Sequence, residues 1–252
     1  MEIRYMISAD FGQTYDYTAV AVTERRLVPV GERYQHAEEW ADYPYGPVRR
    51  RLEVRQKVEQ HYDLIRLDRV PLRTPYVKIA QGLVKLLSEF YDAHTHAEDY
   101  LPTQSVSVGL AIDEGGVGKA VKDIIAKEVA EGIERGKPHI HWLPVTVHGG
   151  STTTINGGFY HVPKKDLISA GLVCYQNGRL RVGNLSNRSV LEEELANYRL
   201  KQNIATGHAA FEPLREGQHD DLLFAVCLNT WAWEQATRKQ KYLSWPGHIL
   251  FS

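Results

Sequence analysis

The sequence predicts an α/β fold with a mixed central sheet flanked by helices, and three patterns support this prediction. Two apolar runs on either side of a glycine turn, residues 7–9 and 18–22, predict an antiparallel hairpin of buried strands. A third apolar run, residues 106–112, precedes a glycine turn and a helix, which is the crossover unit of an α/β sheet. The helical spacing of apolar residues between Tyr76 and Tyr91 predicts an amphipathic helix.

Composition sets the broad class of the protein. The chain has 252 residues, of which 43% are hydrophobic, so one large domain with a substantial core is expected. Its formal net charge of −1 argues against a globally basic nucleic-acid binder but leaves room for a local basic surface. Cys174 and Cys227 are far apart and have no companion motif, so we expect no disulfide framework and no cysteine-rich zinc site. We find no signal segment and no membrane span, and expect a soluble protein of a reducing compartment.

The segment after the opening hairpin is predicted as follows. Residues 25–31 form a turn and the start of another strand, and residues 61–70 form a strand closed by Pro71. Between them, residues 36–54 combine aromatic residues, prolines and an arginine run, which predicts a surface insertion. Both a solvated loop and a nucleic-acid contact fit this composition.

The second half of the chain alternates predicted strands, loops and helices. We expect strands at 139–147 and 179–182, a flexible loop at 149–158, helices that begin near Lys164 and Asp220, and an irregular arm from residue 239. A further helix is expected from Ser189 to Lys201, where Ser189 and Glu192 match a capping box.

Two motifs in this region suggest chemistry that their context does not support. Gly118 and Lys119 resemble part of a phosphate-binding loop, but Asp113 and Ala120 occupy positions where that motif requires Gly and Ser or Thr. His139 and His141 in the predicted strand 139–147, together with His148 just beyond it, fit a metal cluster, and they also fit ordinary polar strand positions.

Carboxylates stand at three element ends. Asp10 and Asp113 each end a buried apolar run, and Asp220 and Asp221 precede a long apolar helix. A strand-end Asp either bonds its own turn or faces a cation, because an unpaired buried carboxylate is costly. Asp220 is explained as a helix cap, but a cap requires neither Asp221 nor the neighbouring His219.

These motifs together resemble a known family. Asp10-Phe11-Gly12-Gln13, Ile112-Asp113-Glu114-Gly115-Gly116, Pro163-Lys164-Lys165-Asp166, Gly178-Arg179-Leu180 and Gly217-Gln218-His219-Asp220-Asp221 occur in the order found in the nuclease domain of tailed-phage large terminases. The resemblance implies a ribonuclease H-like fold that cuts double-stranded DNA during viral genome packaging.

The resemblance also implies roles for individual residues. Asp10 and Asp113 match the first two metal-binding carboxylates, and the third falls in the Asp220–Asp221 pair, where we favour Asp221. Such a set of hard oxygen ligands suits two Mg²⁺ or Mn²⁺ ions about 4 Å apart, which activate water and stabilise the leaving oxygen. Positive charge along the DNA backbone is expected from Lys164, Lys165 and Arg215. The two lysines also fit a solvated helix start.

The same resemblance divides the chain and suggests its partners. Residues 1–238 are expected to form the ribonuclease H-like domain, with 36–60 as an insertion and 239–252 as a C-terminal arm. No Walker A sequence precedes Asp10, so an ATPase motor is expected as a partner, together with double-stranded DNA, the portal and the small terminase. The implied location is the host cytoplasm, without membrane contact.

Two other functions compete with a nuclease. An actin-like or sugar-kinase ATPase lobe also has an Asp-x-Gly turn after its first strand, but it requires a second glycine motif and a second lobe. A catalytically silent module that clamps DNA in a packaging complex is the other alternative. Plasmid nicking with Mn²⁺, compared with ATP turnover, distinguishes these functions.

Overall fold

The structure is a computed structural model that describes residues 2–12, 16–41, 48–97, 106–133, 139–202, 209–213, 219–236 and 242–251. Within these ranges nine strands form one mixed sheet, and two short strands form a separate hairpin. The strands of the large sheet are β1 (Glu2–Asp10), β2 (Thr18–Ala41), β3 (Val48–Val70), β4 (Val106–Asp113), β5 (His139–His148), β6 (Thr154–Asn156), β7 (Phe159–Pro163), β8 (Leu180–Val182) and β11 (Tyr242–Phe251). The separate hairpin contains β9 (Tyr198–Gln202) and β10 (Ala209–Pro213).

The sheet has an antiparallel half and a parallel half that meet at β1. The strand order is β11-β3-β2-β1-β4-β5-β7-β6, and β8 pairs with β3. β1 is antiparallel to β2, whereas β1, β4, β5 and β7 run parallel to one another. The carboxyl ends of these four parallel strands therefore lie along one edge, where α/β sheets bind ligands.

Five helices cover the two faces of the sheet in the described ranges. They are α1 (Tyr76–Thr95), α2 (Gly118–Ile133), α3 (Lys164–Gln176), α4 (Arg188–Asn197) and α5 (Asp221–Ala236). One face packs against α1 and α2, and the other packs against α3, α4 and α5. No described helix is long and apolar enough to cross a membrane.

The alternation of side chains along the central strands divides the core. On β1, Ile7 and Ala9 face α1 and α2, while Met6 faces α5. On β4, Leu110 and Ile112 share the first face and Ala111 the second. α5 is buried on all sides from Asp221 to Trp233, as expected for a uniformly apolar helix at the centre of a layer.

Several elements predicted from the sequence are confirmed. The opening hairpin, the helix from Tyr76, the strand that ends at Asp113, the helix from Lys164 and the short strand near residue 180 all occur. Residues 61–70 form the last part of β3.

The predicted turn at residues 25–31 is wrong. β2 continues through this segment and pairs with β3 as far as Ala41, with one irregularity between Val30 and Tyr34. Gly31, with a φ of 70°, accommodates that irregularity in the left-handed region that glycine favours. The arginine run at 49–51 therefore belongs to a strand, and the described backbone of the proposed insertion, residues 36–60, forms the outer part of the long hairpin of β2 and β3.

Three predictions in the second half of the chain also need correction. The 149–158 loop contains β6, which turns into β7 through two glycines, Gly157 and Gly158, both with positive φ. α4 starts at Arg188, and the Leu191 N–H donates to the Asn187 carbonyl, so Ser189 lies inside the helix and is not its cap. That helix ends at Asn197 because the following residues pair in β9.

The C-terminal arm is not irregular. Residues 242–251 form β11, which pairs antiparallel with β3 and has a register shift between Pro246 and Ile249. Proline lacks the N–H that a regular ladder requires, so an irregularity beside Pro246 is expected.

Candidate active site

The ends of two neighbouring strands bring Asp10 and Asp113 together. β1 and β4 are parallel, and Ala9 pairs with Ile112, so the next residue of each strand, Asp10 and Asp113, stands side by side at the sheet edge. Neighbouring strands lie about 4.8 Å apart. Both side chains point to the α5 face, because the residues before them, Ala9 and Ile112, point to the opposite face.

Buried hydrogen bonds fix α5 against β1. The Ser8 hydroxyl donates to the Ala225 carbonyl at 2.7 Å, and the Asn229 amide nitrogen donates to the Met6 carbonyl at 2.9 Å. Two strand residues and four helix residues both advance about 6 Å, so these contacts progress in step along antiparallel elements. Two residues further along β1 and four residues earlier in α5, Asp10 lies alongside Asp221. Asp221 is the first residue of α5 and directly follows Asp220.

Asp113 is oriented by backbone donors. Its Oδ1 accepts the N–H of Gly115 at 2.9 Å and that of Val147 at 3.1 Å. Burial raises the pKa of Asp113, and these two N–H donors counteract that rise by stabilising the carboxylate. A Cβ at position 115 would stand 3.1 Å from Oδ1, so the glycine permits the close approach. Asp113 therefore presents a carboxylate whose direction is set by the turn after β4.

The adjacent acidic residue, Glu114, is bound elsewhere. Its Oε2 accepts the Lys122 ammonium at 2.7 Å, and its Oε1 accepts the Trp142 indole N–H at 3.2 Å. Since these partners lie on α2 and β5, Glu114 ties both elements to the turn after β4.

Asp10 lies in the most unfavourable electrostatic position of the site. Burial raises its pKa to about 7, and the negative charge of Asp220 is the next largest cause. Asp113 and Asp221 add to the rise, whereas the positive charge of Lys164 opposes it. The carboxylates are therefore close enough to repel one another, and the cluster favours a cation.

Lys164 supplies positive charge inside this cluster. It is the first residue of α3 and directly follows β7. Its Nζ lies 2.8 Å from Asp220 Oδ2 and 5.3 Å from the centre of the Phe224 ring. The lysine predicted to contact DNA is thus bound to one of the predicted metal ligands.

Asp221 faces a different cation. The Arg69 guanidinium donates to its two carboxylate oxygens, with Nε 2.8 Å from Oδ2 and Nη2 3.2 Å from Oδ1. The Asp221 side chain is only 6% exposed. The same guanidinium donates to Glu194, whose other oxygen accepts the Leu223 N–H at 2.7 Å.

The Arg69 and Glu194 network was not predicted from the sequence. Burial raises the pKa of Glu194 to about 7, and the Leu223 N–H opposes that rise. No local pattern joins these residues, because Arg69 lies at the end of β3 and Glu194 on α4. The sequence signal is weak: each of the two residues is followed by an apolar residue, Val70 or Leu195, that is partly buried in the structure.

An aromatic group borders the pair of aspartates. The Tyr17 ring lies edge-on to His219, with 5.6 Å between ring centres, and the Arg69 guanidinium lies 5.1 Å from the Tyr17 ring centre. His219 Nδ1 is 3.6 Å from Asp16 Oδ1 and 4.0 Å from Asp221 Oδ1. His219 therefore forms part of the site wall, next to the predicted third carboxylate.

The structure thus brings together Asp10, Asp113, Asp220 and Lys164, with Asp221 alongside and bound to Arg69. Lys165 makes no hydrogen bond or ion pair to these carboxylates within the described ranges. Arg215 lies outside the described residues. Among the described side chains, which include His141 and His148 but not His139, no three His, Cys, Asp or Glu residues already converge on one point that would hold a metal ion.

Comparison with known proteins identifies this fold. The sequence matches no protein-family profile and no curated protein. The structure is similar to the human cytomegalovirus terminase nuclease domain, soaked with Mn and bound to an inhibitor, with a TM-score of 0.50, 14% sequence identity, and coverage of 95% of this chain and 86% of that chain. The Mn-soaked form without inhibitor gives the same TM-score of 0.50 and the same coverages at 11% identity. The HK97 bacteriophage large terminase matches with a TM-score of 0.44, 12% identity, and coverage of 92% of this chain and 40% of that chain. The ribonuclease H-like fold expected from the sequence is confirmed.

Proposed function

We propose that this chain is a metal-dependent endonuclease that cuts double-stranded DNA during viral genome packaging. The observation that carries the proposal is the position of Asp10: it stands beside Asp113 at the carboxyl edge of the parallel strands, and the negative charges of Asp220 and Asp113 both raise its pKa. The similarity of the fold to a terminase nuclease domain supports the same function.

We propose Asp10, Asp113 and Asp220 as the residues that hold Mg²⁺ or Mn²⁺. Their oxygen donors suit these hard cations, and the raised pKa of Asp10 indicates a local excess of negative charge that a cation relieves. Asp220 replaces Asp221, our preference from the sequence, because both oxygens of Asp221 are engaged by Arg69. Asp221 then positions the start of α5.

The chemistry proposed is hydrolysis of a phosphodiester bond. Two Mg²⁺ or Mn²⁺ ions, when bound, supply the charge that activates water and stabilises the leaving oxygen. The protein groups orient the donors: backbone N–H groups hold Asp113, and hydrogen bonds of Ser8 and Asn229 hold α5, the helix that directly follows Asp220.

DNA contacts and partners are proposed on the same basis. Lys165 and Arg215 remain our proposed contacts to the DNA backbone, whereas Lys164 receives a different role below. We propose that the nuclease acts in the host cytoplasm with an ATPase motor, the portal and the small terminase, because the similar structures are terminases.

The test is cleavage of supercoiled plasmid with Mn²⁺, in parallel with a chelator control and an ATP turnover assay. Asp10→Asn and Asp113→Asn should each abolish cleavage while the circular dichroism spectrum stays unchanged. Asp123→Asn is the matched control, since Asp123 is an exposed aspartate on α2. ATP turnover without metal-dependent cleavage would overturn the proposal in favour of an ATPase lobe, and DNA binding without either activity would favour a silent clamp.

A further inference from the structure

Lys164 has a position that DNA binding does not explain. A lysine that contacts a DNA backbone is expected to extend into solvent, but the Lys164 ammonium lies 2.8 Å from Asp220 Oδ2 and rests against the Phe224 ring. Its side chain is 41% exposed, and that of Asp220 is 24% exposed. Its neighbour Lys165 carries the same charge without such a contact among the described residues.

The charge of Lys164 is paired directly with one of the three carboxylates that we assign to metal binding. Its Nζ lies 2.8 Å from Asp220 Oδ2, and it stands at the first position of α3, directly after β7. Lys164 therefore partly neutralises Asp220. The adjacent Asp221 pairs with a different cation, Arg69, which it shares with Glu194.

Resting on the function proposed above, we propose that Lys164 is a positioning residue that serves as an internal counter-cation of the carboxylate cluster and competes with a divalent ion for Asp220. In the metal-free protein its ammonium holds the Asp220 carboxylate in the site. A divalent ion that binds Asp220 displaces the ammonium from that oxygen, because both cations use the same carboxylate.

This role predicts that a substitution which removes a positive charge from the site changes metal binding. Removal of the Lys164 charge should strengthen the binding of a divalent cation, since the competing cation is lost and the cluster becomes more negative. Loss of a partly exposed ion pair of this kind should raise the affinity for the divalent cation by up to about fivefold. A lysine that served only the DNA backbone would leave metal affinity unchanged and would weaken DNA binding.

The experiment measures Mn²⁺ binding directly, by calorimetric titration of the DNA-free protein at pH 8. The proteins are wild type, Lys164→Met, Lys164→Gln, Lys164→Arg and the matched control Lys165→Met. We expect tighter binding, by up to about fivefold, for Lys164→Met and Lys164→Gln, and wild-type affinity for Lys164→Arg and Lys165→Met. Lys164→Gln is included because it retains a polar group if the methionine variant does not fold.

The outcomes separate this inference from the proposed function. Unchanged or weaker Mn²⁺ affinity in the folded Met and Gln variants would overturn the counter-cation role, even if the wild type cuts DNA. Equal losses of DNA affinity in Lys164→Met and Lys165→Met, at unchanged Mn²⁺ affinity, would show that Lys164 contacts the DNA backbone and is not a counter-cation of Asp220. A wild-type protein that does not bind Mn²⁺ would overturn the metal site itself, and the inference with it.

Discussion

At the scale of single residues, the site is governed by which cation each aspartate faces. Asp220 and Asp221 are adjacent in sequence, yet the first faces Lys164 and the second faces Arg69. Successive residues at a helix start point in different directions, so one carboxylate joins the cluster around Asp10 and the other supports the helix. Substitution of Asp220 should therefore affect mainly cleavage, and substitution of Asp221 mainly stability.

We predict that Asp220→Asn abolishes Mn²⁺-dependent plasmid cleavage with little change in stability. Asp221→Asn should lower the free energy of unfolding by about 1–3 kcal/mol, because it weakens a buried charge-assisted hydrogen bond to Arg69. Urea unfolding and plasmid cleavage of both variants check this. Complete loss of cleavage in a stable Asp221→Asn protein, with activity retained in Asp220→Asn, would show that our preference from the sequence was correct.

A second prediction at this scale concerns pH. The pKa of Asp10 is raised from 3.8 to about 7 in the folded protein, so ionised Asp10 opposes folding above pH 7. This penalty fades as pH falls through 7 and is absent below about pH 4, where the group is protonated in both states. Asp10→Asn should therefore stabilise the metal-free protein at pH 8 by up to about 4 kcal/mol, and the gain should vanish near pH 4.

Unfolding of wild type and Asp10→Asn in the presence of a chelator, measured from pH 4 to pH 8, checks this prediction. The difference between the two proteins isolates Asp10 from Glu194, whose pKa is also raised to about 7. A difference that does not depend on pH would contradict the assigned electrostatics.

At the scale of elements, the position of α5 decides where Asp220 lies. Asn229 is the central anchor: it donates to the Met6 carbonyl at 2.9 Å and to the Ala21 carbonyl at 3.3 Å, and its oxygen accepts the Thr23 hydroxyl at 2.5 Å. All of these groups are buried, so truncation of Asn229 leaves several of them without a partner.

We predict that Asn229→Ala lowers the free energy of unfolding by about 1–3 kcal/mol. Because the start of α5 depends on this anchor, cleavage activity should fall as well, although Asn229 is remote from the reacting groups. Asn177→Ala, at the exposed end of α3, is the control and should change neither quantity. Wild-type stability of Asn229→Ala in urea unfolding would show that the apolar contacts of α5 alone fix its position.

The elements also show what a sequence can predict. The strand ends at Asp10 and Asp113 were predictable because apolar runs, a carboxylate and a glycine turn are all local signals. The pairing of Arg69 with Asp221 was not, since 152 positions separate them and the contact depends on how β3 and α5 pack. The length of β2 was missed for a similar reason: its outer half is defined by pairing with β3 rather than by local alternation.

At the scale of the whole molecule, the sheet has a functional edge and a long extension away from it. Asp10, Asp113 and Lys164 lie at the carboxyl ends of parallel strands, whereas β2 and β3 continue as a hairpin beyond the core. Where the structure describes the side chains of these two strands, the buried apolar residues lie between Ala19 and Val22 and between Val58 and Leu67. Because the outer hairpin and β11, which pairs with residues 49–57, extend away from the carboxylates, we expect them to be dispensable for the site.

We predict that replacing residues 36–53 with Asn-Gly preserves the fold and metal-dependent cleavage. Gln35 and Val54 already pair across the hairpin, and Asn-Gly forms the two-residue turn that suits such strands. The urea midpoint and the plasmid cleavage rate of the shortened protein are the measurements. Loss of folding would contradict our proposal that residues 36–60 are an insertion in the ribonuclease H-like domain.

The most direct test of the central claim is an anomalous diffraction map of crystals soaked with Mn²⁺. The proposed function predicts anomalous peaks bound by carboxylate oxygens of Asp10, Asp113 and Asp220, at distances normal for metal–oxygen ligation, with Asp221 still bound to Arg69. Peaks absent from this edge of the sheet, or bound by Asp221 in place of Asp220, would contradict the site as we assign it.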